Sequence, residues 1–299
     1  MANQDNNKLK AHLALVAVAV IYGLNYSIAK DVMPDFILPR GFILVRVLGA
    51  TLLFWLTARF MQGQKMAKSD HVRLALCGLF GVACNQLLFF EGLNLTTPIS
   101  AAVMMTTNPI LVLVMSALIL KEALSASRIV GIALGLIGAL ILISQGGHFN
   151  QIFSGDHSLG NLLVFLNAAS YGAYLVLVKP LMQRYQPITV IKWVFLYGLL
   201  IVLPFGVPQF VQIEWQSMPS FIFWEVIFVV VCTTYMAYLL NVFALKTVSS
   251  TTVSFYIYLQ PVVATLAAIL LATDSLTLVR VLGASFIFVG VYFVSFFKR

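Results

Sequence analysis

The sequence predicts an all-α membrane protein of ten transmembrane helices, arranged as two inverted five-helix repeats around a central cavity. Three observations lead to this fold class: the composition, the spacing of long apolar runs and an internal repeat. Of the 299 residues, 61% are hydrophobic and only 9% are charged, whereas soluble domains carry roughly a quarter charged residues. Because a soluble fold of this size could not cover so much apolar surface, lipid is expected to be its solvent.

Ten apolar runs are each long enough to cross a bilayer as a helix, which takes ~20 residues. Backbone groups in hydrocarbon must pair within their own segment, and the runs lack the alternation of membrane-barrel strands, so helices are predicted. The predicted spans are 10–30, 37–60, 72–93, 97–120, 127–145, 159–179, 188–208, 221–245, 249–272 and 277–297.

The lysines and arginines between the spans predict that both chain termini are cytoplasmic. With residues 1–9 as a cytoplasmic tail, fourteen of the 18 Lys and Arg residues fall in inner segments and three in outer ones, while Arg46 lies within the second span. This positive-inside bias explains the net charge of +8 without a nucleic-acid partner. We therefore expect a multi-pass protein of the cytoplasmic (inner) membrane, with the lipid bilayer as its partner and no nucleic acid.

The two halves of the chain match at a nearly constant offset. The matched pairs are Tyr22 with Tyr171, Lys30 with Lys179, Pro109 with Pro261, Glu122 with Asp274, Arg128 with Arg280, Gly131 with Gly283, and Gly138 with Gly290. Since each half holds five helices, an odd number, the second half must enter the membrane from the opposite side. Inverted repeats enclose a central site that opens alternately to each side. The predicted organisation is a first repeat over 10–145, an external linker over 146–158 and a second repeat over 159–299.

These residues, in their order and spacing, resemble the drug/metabolite transporter superfamily, specifically the EamA-type ten-helix exporters, over about residues 10–297. The resemblance rests on the segment from Tyr22-Gly23-Leu24-Asn25-Tyr26 to Lys30, on Arg46, on Gly92 through Pro109 to Glu122, on Gly131 and Gly138, and on Ala244, Pro261, Asp274, Gly283 and Gly290. It implies that helices one to four and six to nine surround a cavity, with helices five and ten at the periphery. It also implies export of amino acids or related metabolites.

Polar side chains inside the spans are the candidate substrate-binding groups, because they are costly in lipid and tend to face a cavity. The candidates are Tyr22, Asn25, Arg46, Asn85, Tyr171, Tyr174, Tyr238, Tyr256 and Gln260. Arg46 either attracts a substrate carboxylate or reaches the outer interface and braces its neighbours. The tyrosines either wall a pocket for a mostly apolar ligand or form interfacial belts.

Three further groups of residues have predicted roles. Glu91 is the candidate for proton coupling, with simple contact to the outer interface as the alternative. The matched prolines, Pro109 and Pro261, each remove a backbone hydrogen bond and serve as hinges or as structural kinks. Glycines of spans five and ten are expected to serve helix packing, with a dimer contact as the alternative; they are Gly131, Gly135, Gly138, Gly283 and Gly290.

The sequence indicates a carrier rather than an enzyme. The sequence has no glycine-rich phosphate loop, zinc-protease motif or nucleophile elbow, so no catalytic residue, metal site or cofactor is predicted. We expect a secondary transporter that exports small metabolites by alternating access, with aromatic or bulky apolar amino acids as the small-molecule substrate. A carrier of drugs or other metabolites and, in another class, a non-transporting membrane enzyme or receptor are the alternatives. The chain is expected to act as a monomer or weak homodimer.

Overall fold

The computed structural model describes residues 2–61, 64–144, 157–270 and 277–295, and every regular element within them is helical. The helices are α1 (Ala2–Val32), α2 (Pro39–Arg59), α3 (Asp70–Leu95), α4 (Pro98–Ile119), α5 (Ala126–Ser144), α6 (Ser158–Arg184), α7 (Pro187–Phe210), α8 (Ser220–Leu245), α9 (250–270) and α10 (Leu278–Ser295). Asp274 and nearly all of the predicted linker 146–158 lie outside the described residues.

Nine of these helices, counted over the described ranges, are long and apolar enough to cross a bilayer. The other, α9, is interrupted by a 3₁₀ turn at Tyr256–Leu259. Large apolar side chains cover the outside of the bundle, and Leu118 of α4, for example, is 75% exposed. Such a surface would not be stable against water and is expected of a protein embedded in lipid.

The first helix starts earlier than the apolar pattern predicts. Residues 2–9, predicted as a polar tail, continue α1, and Lys8 is exposed there. This segment contains no glycine or proline, so a helix already formed in the membrane can extend through it at little cost per residue.

The contacts between helices are the same when the two halves are exchanged. Helix α2 packs on its counterpart α7, and α5 packs on its counterpart α10. The contact of α3 with α6 is repeated by that of α8 with α1, and the contact of α4 with α6 by that of α9 with α1. This pattern requires a pseudo-twofold axis through the centre of the bundle. The predicted ten-helix fold of two inverted repeats is thus confirmed.

Local irregularities of the chain also recur in both halves. Helix α3 contains a π-helical segment at Leu79–Ala83, and α8 contains one at Val229–Met236. Helix α4 is broken between its parts Pro98–Met105 and Asn108–Ile119, and α9 has its 3₁₀ turn at the matching place. The last two breaks directly precede the matched prolines, whose rings clash with the carbonyl four residues earlier.

The bundle has two ends: the N-side, where α1 begins and α6 ends, and the far side, where α1 ends and α6 begins. At each end of the bundle, a lysine ammonium group donates hydrogen bonds to carbonyls at the end of a neighbouring helix. On the far side the Lys30 ammonium donates to the Asn94 carbonyl of α3 (3.4 Å), and on the N-side Lys179 donates to the carbonyls of Leu245 and Val248. A cation at a helix C-terminus satisfies carbonyls that have no partner within the helix.

Helices α5 and α10 pack together through their glycines. A Cβ atom added at Gly138 would lie 2.5 Å from the Gly283 carbonyl oxygen, and one added at Gly131 would lie 2.9 Å from the Gly290 carbonyl oxygen. The two backbones therefore touch, which in lipid is the main way for helices to associate. An added Cβ at Gly135 would instead meet aromatic rings of α9. This pair of helices lies at the edge of the bundle.

Candidate functional site

Each half carries a tyrosine–glycine pair that lets one helix approach another closely while the tyrosine turns toward the centre. A Cβ added at Gly23 of α1 would lie 3.3 Å from the Gln260 carbonyl oxygen of α9. At Gly172 of α6, an added Cβ would lie 3.2 Å from a Val112 methyl group of α4. The preceding residues, Tyr22 and Tyr171, both line the cavity between the halves.

This central cavity has a volume of about 70 Å³. Its polar lining consists of Asn25, Arg46, Asn85, Gln86, Asn167, Thr233 and Gln260. Its aromatic and apolar lining consists of Tyr22, Tyr26, Phe89, Phe90, Met105, Tyr171, Tyr238 and Ile257. This volume is well below the ~300–1,000 Å³ of typical small-molecule pockets. A metabolite would therefore require the walls to move apart, which makes the described conformation a contracted one.

Arg46 is buried in the wall of this cavity, with 3% of its surface exposed. Its Nε donates to the Thr234 hydroxyl oxygen at 3.0 Å, and the guanidinium carbon lies 4.2 Å from the centre of the Phe90 ring. The Nη1 atom has no hydrogen-bond partner within the described residues. Arg46 therefore lies in the cavity wall and does not reach the outer interface. Its hydrogen bond to Thr234 also braces α2 against α8.

The π-helical segment of α3 directs polar groups into the same space. The Tyr238 hydroxyl of α8 donates to the Gly81 carbonyl at 2.7 Å and lies 2.9 Å from Asn85 Oδ1. The Asn167 amide of α6 donates to the Asn85 carbonyl at 2.6 Å. A π turn widens the helix and weakens its own ladder, so a side chain of another helix can bond the Gly81 carbonyl.

Toward the N-side, Tyr22, Tyr171, Ile257 and Gln260 separate the cavity from a much narrower crevice. The Tyr26 hydroxyl supports this partition by donating to Gln260 Oε1 at 3.1 Å. The crevice contains Tyr256, whose hydroxyl lies 2.7 Å from Nδ1 of His12 on α1. The cavity thus occupies the far-side half of the bundle, and contacts between α1 and α9 close its N-side.

Two predicted binding residues lie outside this cavity. Tyr256 lines the N-side crevice, and Tyr174 is fully buried with its ring against Gly81. Tyr174 supports the wall from behind, because its ring centre lies 5.9 Å from that of Tyr171 and 6.2 Å from that of Tyr238.

Glu91, the candidate for proton coupling, also lies away from the cavity lining. Its carboxylate accepts a hydrogen bond from Arg40 Nε at 2.6 Å, near the far-side ends of α3 and α2. Both side chains are partly exposed. This contact is an ion pair at the surface of the bundle, consistent with the interfacial alternative.

The resemblance implied that α7 is among the helices that surround the cavity; in the described part of the chain, α7 supplies none of the lining residues. Phe195 of α7 stands at the position that matches Arg46, and its ring packs edge-on against Tyr238 at 4.9 Å between ring centres. The Tyr238 ring thereby lies between α7 and the cavity. The polar lining is consequently asymmetric: α2 contributes a cation, and its counterpart contributes an apolar ring.

Several lining residues were not among the sequence candidates. They are Tyr26, Gln86, Phe89, Phe90, Met105, Asn167, Thr233 and Ile257. The sequence could have indicated Met105 and Ile257, because each stands four residues before one of the matched prolines, where the helix is expected to break. Asn167 and Gln86 are amides in apolar spans, and the cost of placing them in lipid also indicates that they face a cavity. The aromatic residues had no signal that separates a cavity wall from ordinary packing.

Six buried polar atoms of the lining have no hydrogen-bond partner within the described part of the chain: Arg46 Nη1, Asn25 Oδ1, Gln86 Nε2, Gln86 Oε1, Asn167 Oδ1 and Thr233 Oγ1. Buried polar groups are nearly always paired, so a polar ligand or water is expected to occupy this space. Among the described residues no group of three His, Cys, Asp or Glu side chains comes together to hold a metal. The arrangement suits a small molecule with a few polar groups and an apolar body.

Comparison with known proteins agrees with this architecture. The sequence profile described as "EamA-like transporter family" matches residues 9–144 and again residues 158–296. The uncharacterized transporter YyaM of Bacillus subtilis (strain 168) is 23% identical over 285 residues, which are 95% of this chain and 92% of that protein. An uncharacterized transporter of Archaeoglobus fulgidus is 24% identical over 96% of this chain and 99% of its own length.

A solved crystal structure shares the fold, with a TM-score of 0.74 over 97% of both chains at 16% sequence identity. The likeness to this structure concerns the fold alone. The family matches carry the identification: two copies of the same profile cover the two halves that the contacts relate by pseudo-symmetry. The chain belongs to the EamA-like transporter family of the drug/metabolite transporter superfamily and is a multi-pass membrane transporter of small molecules.

Proposed function

We propose that this transporter exports amino acids with aromatic or bulky apolar side chains across the cytoplasmic membrane. The observation that carries the proposal is the central cavity, where tyrosine and phenylalanine rings from both halves surround a small number of unpaired polar atoms. Rings offer an apolar side chain a large contact surface, and the polar atoms offer partners for its backbone groups. With no ATP-binding motif in the sequence, the driving force is an existing gradient.

The mechanism that we propose is alternating access. The positive-inside bias favours a cytoplasmic N-side, so that both termini are cytoplasmic and the cavity lies in the external half. Closure of the cytoplasmic half by the contact of Tyr256 with His12 supports an outward-facing, contracted state. The inward-facing state would use the pseudo-symmetric contacts of the other half. The helix breaks before Pro109 and Pro261 are the proposed hinges.

The experiment that tests the function is flux into proteoliposomes containing the purified chain. Labelled amino acids, nucleosides and lipophilic cations are offered with and without a pH gradient. We expect protein-dependent flux of phenylalanine, leucine or methionine. A broad panel in which no compound moves faster than into empty vesicles would contradict the proposal. Cross-linking in the same vesicles tests the expected monomer or weak homodimer.

The site is tested by Asn85→Ala and Tyr171→Ala, each of which should reduce flux without lowering expression. Tyr292→Ala is the matched control, because Tyr292 lies on peripheral α10 and is 55% exposed. The control should transport like the wild type. Normal flux in both cavity variants would remove these residues from the binding site.

Proton coupling through Glu91 stays a prediction. Glu91→Gln should abolish the stimulation of flux by a pH gradient and leave exchange between labelled and unlabelled substrate intact. A variant that still responds to the gradient would show that Glu91 serves only its ion pair with Arg40.

A further inference from the structure

The geometry points to a zwitterionic substrate whose carboxylate pairs with Arg46 and whose ammonium group binds the amide oxygens of Asn25 and Asn167. This inference rests on the proposed function and assigns an orientation to the bound molecule. Its side chain would then lie along the ring surfaces of Tyr22 and Tyr171. The cavity lining carries one cation and, among the described residues, no carboxylate, so it favours a ligand with a negative group.

The neighbours of Arg46 hold its side chain in place but leave part of its hydrogen-bonding capacity unsatisfied. Its Nε is occupied by the Thr234 hydroxyl, and its face lies over the Phe90 ring, with 4.2 Å from the guanidinium carbon to the ring centre. The Nη1 atom of this cavity-lining residue has no hydrogen-bond partner within the described part of the chain, and neither has the hydroxyl of Thr233, which lines the same cavity. A guanidinium that is held in place and keeps an unpaired donor is suited to binding a carboxylate.

The unpaired acceptors of the cavity suit the other end of the molecule. Asn167 donates its Nδ2 to the Asn85 carbonyl at 2.6 Å, which fixes its Oδ1 as an acceptor with no protein partner in the described chain. Asn25 Oδ1 is also buried and unpaired, as is Gln86 Oε1. An ammonium group brings three donors and no acceptor, so it matches two such oxygens. A ligand with an ammonium group and no carboxylate would meet the Arg46 charge without compensation.

The first test needs only the wild-type chain in proteoliposomes. Labelled phenylalanine, leucine or methionine is exchanged against unlabelled competitors: the three amino acids, their amides, which keep the ammonium and lose the carboxylate, and 3-phenylpropionate, which does the reverse. We expect the amino acids to compete best, 3-phenylpropionate to compete more weakly and the amides to be at least tenfold weaker than the parent amino acids. Amides that compete as well as the amino acids would overturn the inference.

The second test changes the protein. Arg46→Gln should lose the preference for the amino acid over its amide, and Arg46→Lys should keep part of it, because the charge remains without the forked geometry. Asn167→Leu should lose the preference for phenylalanine over 3-phenylpropionate. Arg184→Gln is the control for loss of a positive charge, since Arg184 is a mostly exposed residue near the end of α6, and it should behave like the wild type.

The outcomes separate the inference from the proposed function. Two results together would overturn the inference and leave amino-acid transport standing: amides that compete as well as the amino acids, and Arg46 variants that keep the wild-type preference. No flux, together with no thermal stabilisation of the detergent-solubilised wild type by any of the three amino acids, would overturn both. If Arg46→Gln fails to fold, the ligand series on the wild type and Arg46→Lys still decides.

Discussion

Replacing Gly81 by alanine should destabilise the transporter and weaken substrate binding, because the added methyl group displaces the ring of Tyr174. Gly81 lies in the π-helical segment of α3, and the added Cβ would be 2.5 Å from Cγ of the Tyr174 ring and closer still to its Cδ2. Carbon atoms in contact normally stay ~3.5–4.0 Å apart, so the ring must retreat by about 1 Å. Tyr174 is fully buried, and its neighbours Tyr171 and Tyr238 line the cavity, so the displacement is passed to the site.

The size of the effect follows from overpacking, which typically costs ~1–3 kcal/mol in a well-packed core. At ~2–4 °C per kcal/mol, taken from soluble domains of 150–250 residues, the midpoint of thermal unfolding should fall by roughly 2–12 °C. If the same strain opposes substrate binding, affinity should weaken by about 5- to 150-fold, since each 1.4 kcal/mol is a factor of ten.

The assays are thermal unfolding of the purified protein in detergent and exchange flux in proteoliposomes. Gly172→Ala is the matched control, because its Cβ would be tight against a single Val112 methyl group at 3.2 Å and would need a much smaller shift than at Gly81. Both variants gain the same helix propensity. Adding Tyr174→Leu to Gly81→Ala should restore stability. The reasoning fails if Gly81→Ala matches Gly172→Ala in both assays, or if the second substitution restores nothing.

Three further predictions concern movement and packing. Pro109→Ala and Pro261→Ala should each slow flux severalfold while the unfolding midpoint stays level or rises, because a continuous helix is a poorer hinge; wild-type flux in both would remove the hinge role. Gly138→Val should lower the unfolding midpoint, because its Cβ would lie 2.5 Å from a backbone oxygen of α10, whereas the lipid-facing Ile137→Val should not. Tyr256→Phe removes the hydrogen bond that closes the N-side and should raise the reactivity of cavity residues toward reagents added on that side; unchanged reactivity would show that the bond does not hold the closure.

The helices and the repeat could be predicted because they depend on quantities that a sequence displays directly. Apolar runs of bilayer length must be helices, and the gapless pairing of Pro109 with Pro261 ties the two halves together in one register. The tyrosine–glycine pairs were equally readable. A small residue beside a large aromatic one, in the middle of two related spans, indicates a close helix contact with a ring turned beside it.

The remaining details of the site depend on helix phase, which the sequence does not fix. A π turn inserts one residue into the helical ladder and rotates everything beyond it by about 100°. The π turn in α8 therefore decides that Thr233 and Tyr238, five residues apart, face the cavity together. Tyr174 shows the opposite case: its spacing from Tyr171 suggested one shared face, but the gap left by Gly81 draws its ring out of the lining.

The central claim is that one cavity between two inverted halves opens to both sides of the membrane in turn. Met105→Cys, placed in a chain whose Cys77, Cys84 and Cys232 are replaced by alanine, puts a single thiol on the cavity wall. Alternating access predicts that a membrane-impermeant thiol reagent labels it from either face, in intact cells and in inverted vesicles, and that substrate changes both rates. Labelling from one face only, with substrate present on both sides, would contradict the claim.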